Sequence, residues 1–173
     1  MAFDNSRARE IWRLGPSSLA TLLQSGYAIA PDALAGKSYR GVSIGLPSIL
    51  IRLTWLTFRK RFWRERNGEL WGHNERLEQT GVDGPAVPPA GGPTVFGPFV
   101  VTPAAIVNPF AVTTGVLLDY GLRHSAWHPL AAVRDPLVSL RSGEADLLLG
   151  ATYLQFPWGQ FRTPSFFTLQ RED

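Results

Sequence analysis

Apolar positions near the start of this chain recur at helical spacing, and further on they alternate. Residues 4–14 place Ile11 and Leu14 three apart on one face, with Asp4 or Asn5 as N-cap, and predict a short helix ended by Gly15-Pro16. Ser17 or Ser18 caps a second helix through Leu19, Leu22 and Leu23, closed by Gly26. Pro31-Asp32 opens a helical turn at 33–35 that stops at Gly36. From Lys37 the pattern turns strand-like through Tyr39, with Gly41 and Gly45 as points of bulging or close backbone approach. After Pro47, the residues Ile49, Leu50, Leu53 and Leu56 repeat at helical spacing. Ile49, Ile51, Leu53 and Trp55 also alternate, and of the two readings a helix over 47–57 is preferred.

Residues 58–77, FRKRFWRERNGELWGHNERL, surround an Asn-Gly pair with mixed apolar and polar runs. A type I′ turn needs positive φ at both central residues, which Asn67-Gly68 supplies, so the stretch predicts a two-residue hairpin. That turn sets Arg66 opposite Glu69, Lys60 opposite Glu75, and Trp63 opposite Gly72. Residues 81–98 hold five Pro and five Gly, which excludes a central strand and predicts a loop, read as a lid or a crossing between strands. Strand-like segments follow at 99–102, 112–120, 133–139, 146–156, and from 161 or 166 to 170. Turn residues punctuate them at Asn108-Pro109, Gly121, Ser142-Gly143, Pro157 and Gly159. The sum is one mainly β domain over 1–173: an antiparallel barrel behind short N-terminal helices, with one inserted helix at 47–57.

Composition narrows the function classes. With 45% hydrophobic residues, six Trp, ten Phe and four Tyr, 173 residues bury a substantial core and can wall an apolar pocket. A net charge of +3 is too mild to mark the whole chain as a nucleic-acid binder. The absence of Cys excludes disulfides, thiolate nucleophiles and Cys-based metal sites. The N-terminus has no apolar signal core, and no uncharged run reaches the ~20 residues of a membrane helix, so the expectation is a soluble cytoplasmic protein without an integral membrane segment. Gly-rich phosphate loops, G-x-G-x-x-G and the G-x-S-x-G elbow do not occur, which argues against nucleotide, Rossmann and serine-esterase chemistry.

Two segments carry a family resemblance. LAGKSYRGVSIGLP followed by LTWLTFRKRF resembles the module named for its Gly-x-Trp-x-Gly motif. The frame here is Gly36, Tyr39 and Gly41, with Tyr replacing Trp and one extra residue, and Arg59-Lys60-Arg61-Phe62 falls where that family has its Lys and Phe. Residues 133–172 (VRDPL, DLLLG, SFFTLQRE) look like its C-terminal partner domain. More broadly the chain resembles lipocalin-type barrels, which implies a closed or nearly closed antiparallel barrel with an interior cavity. The resemblance implies no specific reaction.

Candidate site residues follow from chemistry and position. Asp135, in an apolar segment before Pro136, is a carboxylate that a barrel interior would desolvate into a general acid or base, with Tyr153 as a second catalytic candidate. An Asp capping a turn or pairing with an Arg is the competing role. The basic run reads first as a solvated hairpin balanced by Glu65, Glu69, Glu75 and Glu78; Lys60, where the resembling family has a Lys, is the exception that would turn inward toward a ligand or a carboxylate such as Asp135. Tyr39, Trp55, Phe58, Trp71, Phe156 and Phe166, with Tyr153, Trp158 and Phe167, are candidate cavity walls. Asp119-Tyr120 is a further acid–base candidate, for which a strand-end Asp starting a turn at Gly121 is the favoured reading. His124 and His128 have a metal-like spacing, but Pro129 opposes a helix there, so solvent-exposed loop histidines are favoured and no metal or cofactor is implied.

The leading functional expectation is binding of a hydrophobic small molecule (lipid, isoprenoid or polyketide-like) in a barrel cavity. The alternative is a cofactor-independent isomerase or cyclase acting on such a molecule. A membrane-surface or nucleic-acid module built on the basic run at 52–66 ranks third, because its cations span a junction between elements and are followed by acids.

Overall fold

The computed structural model describes residues 6–45, 55–103 and 107–172. Three short helices, α1 (Ser6–Trp12), α2 (Pro16–Gln24) and α3 (Pro31–Leu34), precede eight strands. These are β1 (Ser38–Ile44), β2 (Thr57–Arg64), β3 (Leu70–Arg76), β4 (Thr94–Pro103), β5 (Val116–Asp119), β6 (Val133–Ser139), β7 (Leu147–Phe156) and β8 (Gly159–Arg171). Each strand pairs antiparallel with its sequence neighbours, and β8 returns to β1, so the sheet is a closed up-and-down barrel. Closure leaves no sheet edge, and with eight strands the interior is narrow enough for side chains to fill it. Among the described residues no helix is long and apolar enough to cross a membrane.

The period of two along each strand sorts side chains between two cores. Tyr39, Phe58, Phe62, Leu70, Phe99, Val116, Leu118, Leu137, Leu148, Phe167 and Leu169 pack inside the barrel. Outside it, Ile11, Leu19 and Leu23 of the helices pack on Leu117, Val138, Leu149, Ala151, Tyr153 and Phe166. Strands under the helices are therefore apolar on both faces, which is why LLLGATYL in β7 scarcely alternates. β2 and β3 face solvent on their outer side, and there Arg61, Trp63, Trp71 and His73 alternate with buried Phe58, Lys60, Phe62, Leu70 and Asn74.

Glycines make the narrow interior possible. Gly41 pairs with Phe58, Gly72 with Phe99, and Gly150 with Phe167. In each pair a Cβ on the glycine would overlap the partner's ring. The bare backbone is the space into which the ring lies, and the rings continue as edge-on stacks, Tyr39–Phe62 at 5.5 Å and Phe62–Phe99 at 5.6 Å.

Several expectations need correction. The second helix takes Gly15 as N-cap and Pro16 as its first residue, not Ser17 or Ser18, because proline's fixed φ and missing N–H suit that position. The helix expected over 47–57 falls mostly on 46–54, outside the described residues; of its remainder, Trp55 and Leu56 are irregular and Thr57 already belongs to β2. The Leu56 and Thr57 amides donate to Gln79 Oε1 at 2.9 and 3.1 Å rather than into a helix. The hairpin also closes differently. The Gly68 amide donates to Glu65 O and the Glu65 amide to Glu69 O, both at 2.9 Å, and only Gly68 of the pair has positive φ (86°). This is a three-residue loop with a glycine bulge, not a two-residue type I′ turn. Lys60 thus pairs with Asn74, Trp63 with Trp71 and Gly72 with Phe62, each one residue away from the expected partner.

The Pro/Gly loop ends earlier than expected. Thr94–Pro103 is a strand, and Gly97 (φ 53°) and Pro98 sit opposite His73, where the β3–β4 register shifts. A bulge tolerates both residues, because the extra backbone is unpaired and no proline N–H is needed.

Candidate functional site

The bulge, the strand alternation and two of the glycine-framed rings, Phe58 and Phe167, converge on one end of the barrel. There a cleft of about 200 Å³ opens among Ser43, Trp55, Phe58, Lys60, Asn74, Phe96, Tyr120, Leu130, Val133, Asp135, Thr152, Ser165 and Phe167. Trp55, Phe96, Leu130, Val133, Thr152 and Ser165 are half-buried and form the rim, whereas Phe58, Lys60, Asn74, Tyr120, Asp135 and Phe167 are buried and form the floor. Trp55 packs on Phe96 at 4.2 Å between centroids.

The floor is polar inside an apolar ring. Lys60, midway along β2 between Phe58 and Phe62, points into the barrel and is 2% exposed. Its Nζ donates to Asn74 Oδ1 and to the Tyr120 hydroxyl, both at 2.7 Å, and lies 3.5 Å from Asp135 Oδ2. Tyr120 donates to Asp135 Oδ2 at 3.2 Å, and Thr152 donates to Asp135 Oδ1 at 2.8 Å. Asn74 Nδ2 donates to the Tyr120 oxygen and to Gly97 O, each at 3.2 Å, so the β4 bulge supplies a carbonyl to the cluster. The rings of Phe58, Phe99, Tyr120 and Phe167 surround Nζ at 5.0–5.4 Å.

Burial governs the protonation of this cluster. It pushes Lys60 below the ordinary lysine range, against the attraction of Asp135. It pushes the Asp135 carboxyl above the ordinary carboxylate range, against Lys60 and the hydrogen bonds from Thr152 and Tyr120. Tyr120 is held well above its usual value by burial and by the adjacent carboxylate. Desolvation thus drives each group toward its neutral form, while the attraction between the two opposes both shifts.

Of the residues singled out in the sequence, Trp55, Phe58, Lys60, Asp135 and Phe167 meet in this cleft. Tyr39 lies inside the barrel against Phe62 but does not line the cleft; burial pushes its hydroxyl up to about 12. Phe166 and Tyr153 lie on the opposite face of the sheet, in the outer core, so Tyr153 is not beside the Asp135 carboxylate. Trp71 faces outward under the Arg123 guanidinium at 3.6 Å, and Phe156 stacks on Trp158 at 5.2 Å near the β7–β8 turn. Asp119 does start the turn, accepting from the Leu122 amide, and pairs with Arg134 at 3.0 Å.

Asn74 and Thr152 escaped the sequence reading, and Tyr120 entered it only beside Asp119 at a strand end. Tyr120 was legible in principle, as the next inward position after Val116 and Leu118. Asn74 needed the true hairpin register, whereas Thr152 continues the inward alternation of Leu148 and Gly150 along β7. Three other cations of the basic run meet acids: Arg59 pairs with Glu75 and Glu172, Arg61 with Glu75, and Arg64 with Asp32. His124 and His128 stack at 4.3 Å, their Nδ1 atoms engaged by Tyr120 O and the Leu130 amide, and His73 lies apart beside Trp63 and Glu75. Among the described residues no group of three His, Cys, Asp or Glu is placed to hold a metal ion. No known family model and no curated protein matches the chain.

Proposed function

We propose that the barrel binds a small, largely apolar molecule end-on, with its one polar group on the Lys60–Asn74–Tyr120–Asp135 floor. The observation that carries this reading is a polar cluster sealed at the base of a cleft walled by Trp55, Phe58, Phe96 and Phe167. Apolar walls contribute affinity through surface removed from water, and a few convergent polar groups fix orientation. At about 200 Å³ the cleft is smaller than the ~300–1,000 Å³ of a site for a drug-sized ligand. The occupant is therefore short, or a longer lipid, isoprenoid or polyketide-like chain that inserts only its head.

A second reading is favoured by the same floor. Lys60, Tyr120 and Asp135 place an amine, a phenol and a carboxyl within 3.5 Å of one another, a set able to move a proton on a bound molecule. A cofactor-independent isomerase or cyclase requires that much and a shaped cavity.

Displacement of a naphthalene-sulfonate fluorophore by short alkyl and aryl alcohols tests binding. The expected result is saturable one-to-one displacement, lost in Ser165→Trp, which fills the rim without removing a floor residue. Displacement unchanged by that substitution would place binding elsewhere. Native mass spectrometry of protein from its own host then reports a retained ligand.

A further inference from the structure

We propose that Lys60 is a carbonyl-capturing nucleophile: the cleft takes an aldehyde or unhindered ketone and holds it as an imine on Nζ. This rests on the cleft being the binding site, as argued above, and adds the chemical class of what it binds.

The sequence makes Lys60 conspicuous. The chain uses fifteen Arg but only two Lys, Lys37 and Lys60. On the outer face of β2 the paired cations are all Arg: Arg59, Arg61 and Arg64. An Arg is cationic at any working pH and has no lone pair to offer, whereas a desolvated Lys can lose its proton. The one interior cation along β2 is thus the residue able to become a nucleophile.

The geometry supplies the remaining requirements. Two tetrahedral positions of Nζ are engaged at 2.7 Å by Asn74 Oδ1 and the Tyr120 hydroxyl, which fixes the amine's direction. The Asp135 contact at 3.5 Å is the loosest of the three, and Lys60 and Asp135 both line the cleft. The Nζ lone pair attacks the carbonyl carbon, and the carbonyl π pair moves onto oxygen, which takes the carboxyl proton of Asp135. The new N–H⁺ returns a proton to the Asp135 carboxylate, giving a neutral carbinolamine. Asp135 protonates the carbinolamine hydroxyl again, water leaves as the nitrogen lone pair forms C=N, and the resulting iminium remains beside the Asp135 carboxylate. The sum is amine, aldehyde and the Asp135 carboxyl giving iminium, the Asp135 carboxylate and one water, with no change in oxidation state. Tyr120, hydrogen-bonded to both Lys60 and Asp135, positions the two partners and follows the moving charge. The rings of Phe58, Phe99 and Phe167 limit the water that would reverse the step.

The test incubates the intact protein with benzaldehyde or octanal and sodium cyanoborohydride, which reduces an imine to a stable secondary amine. Peptide mapping then reads a mass increment equal to the aldehyde less one oxygen. Labelling of Lys60 in preference to the more accessible Lys37, suppressed by benzyl alcohol, supports the proposal. Retention of that label in Lys37→Arg and its loss in Lys60→Arg assign the atom, and the wild-type map stands even where Lys60→Arg does not fold. If the aldehyde and the alcohol both displace the fluorophore but Lys60 gains no more label than Lys37, carbonyl capture is overturned while the cleft remains a binding site. If neither displaces it and no adduct forms, both readings fall.

Discussion

Lys60 Nζ and Asp135 Oδ2 lie 3.5 Å apart inside the barrel, on β2 and β6, with the Tyr120 hydroxyl hydrogen-bonded to both. The strands that carry them are not neighbours in the sheet, so the contact crosses the interior. A charge pair in that position opposes the desolvation of each member, and removing one leaves the other without compensation.

The pair is therefore expected to be non-additive. Lys60→Met and Asp135→Leu should each lower unfolding stability by about 3–5 kcal/mol, whereas the double variant loses clearly less than the sum. Urea denaturation of the four proteins in a double-mutant cycle measures this. A coupling energy near zero would show that the two groups do not depend on each other.

Stability should vary with pH in opposite senses for the two groups. Asp135 has a raised folded pKa, so between 3.8 and that value the folded state holds more protons than the unfolded, and its contribution falls as pH rises. Lys60 has a lowered folded pKa, so between that value and 10.5 the folded state holds fewer protons, and its contribution grows as pH rises. In Asp135→Asn only the Lys60 effect remains, and its attractive partner is gone. The variant's urea midpoint should rise from pH 7 to pH 9.5 by more than the wild type's, and a flat profile would contradict a desolvated Lys60.

Gly72 and Gly150 should not tolerate alanine. A Cβ at Gly72 overlaps the Phe99 ring and approaches Arg61 O at 2.6 Å, and one at Gly150 overlaps the Phe167 ring. Overpacking of this kind costs about 1–3 kcal/mol, at the upper end for Gly72, where backbone is among the atoms met. Phe99→Leu in the Gly72→Ala background should recover part of the loss, as thermal unfolding would show.

Trp55 should act on ligand affinity more than on folding. It is half-buried at the rim and packs mainly on Phe96, so Trp55→Ala removes a wall and leaves the interior core intact. A loss of roughly tenfold or more in affinity with little change in melting temperature is expected, since a removed aromatic contact in a pocket accounts for about 1–2 kcal/mol. Fluorophore displacement and thermal unfolding on the same preparation separate the two effects.

Period-two patterns and turn residues were enough to read a mainly β antiparallel barrel behind short helices, because alternation and chain breaks are local properties of the backbone. β6 was legible to the residue, since Val133 and Ser139 are bounded by clear turns. Lys60 stood out only through the family resemblance; its inward direction, shared with Phe58 and Phe62, came from the strand itself. Tertiary structure decided the rest. Alternation divides a strand into two faces without saying which is inside, and where helices cover the outer face both are apolar. Phe166 and Tyr153 could not be separated from Phe167 on that basis, although they lie on opposite faces of the sheet. The hairpin register turned on a single φ, since Asn67 is not left-handed and Gly68 is. That one-residue difference sets Asn74 rather than Glu75 beside Lys60, and sends Glu75 to Arg59 and Arg61 on the outer surface. Only barrel closure, which brings β5 and β6 across from β2, could gather Tyr120 and Asp135 at the amine.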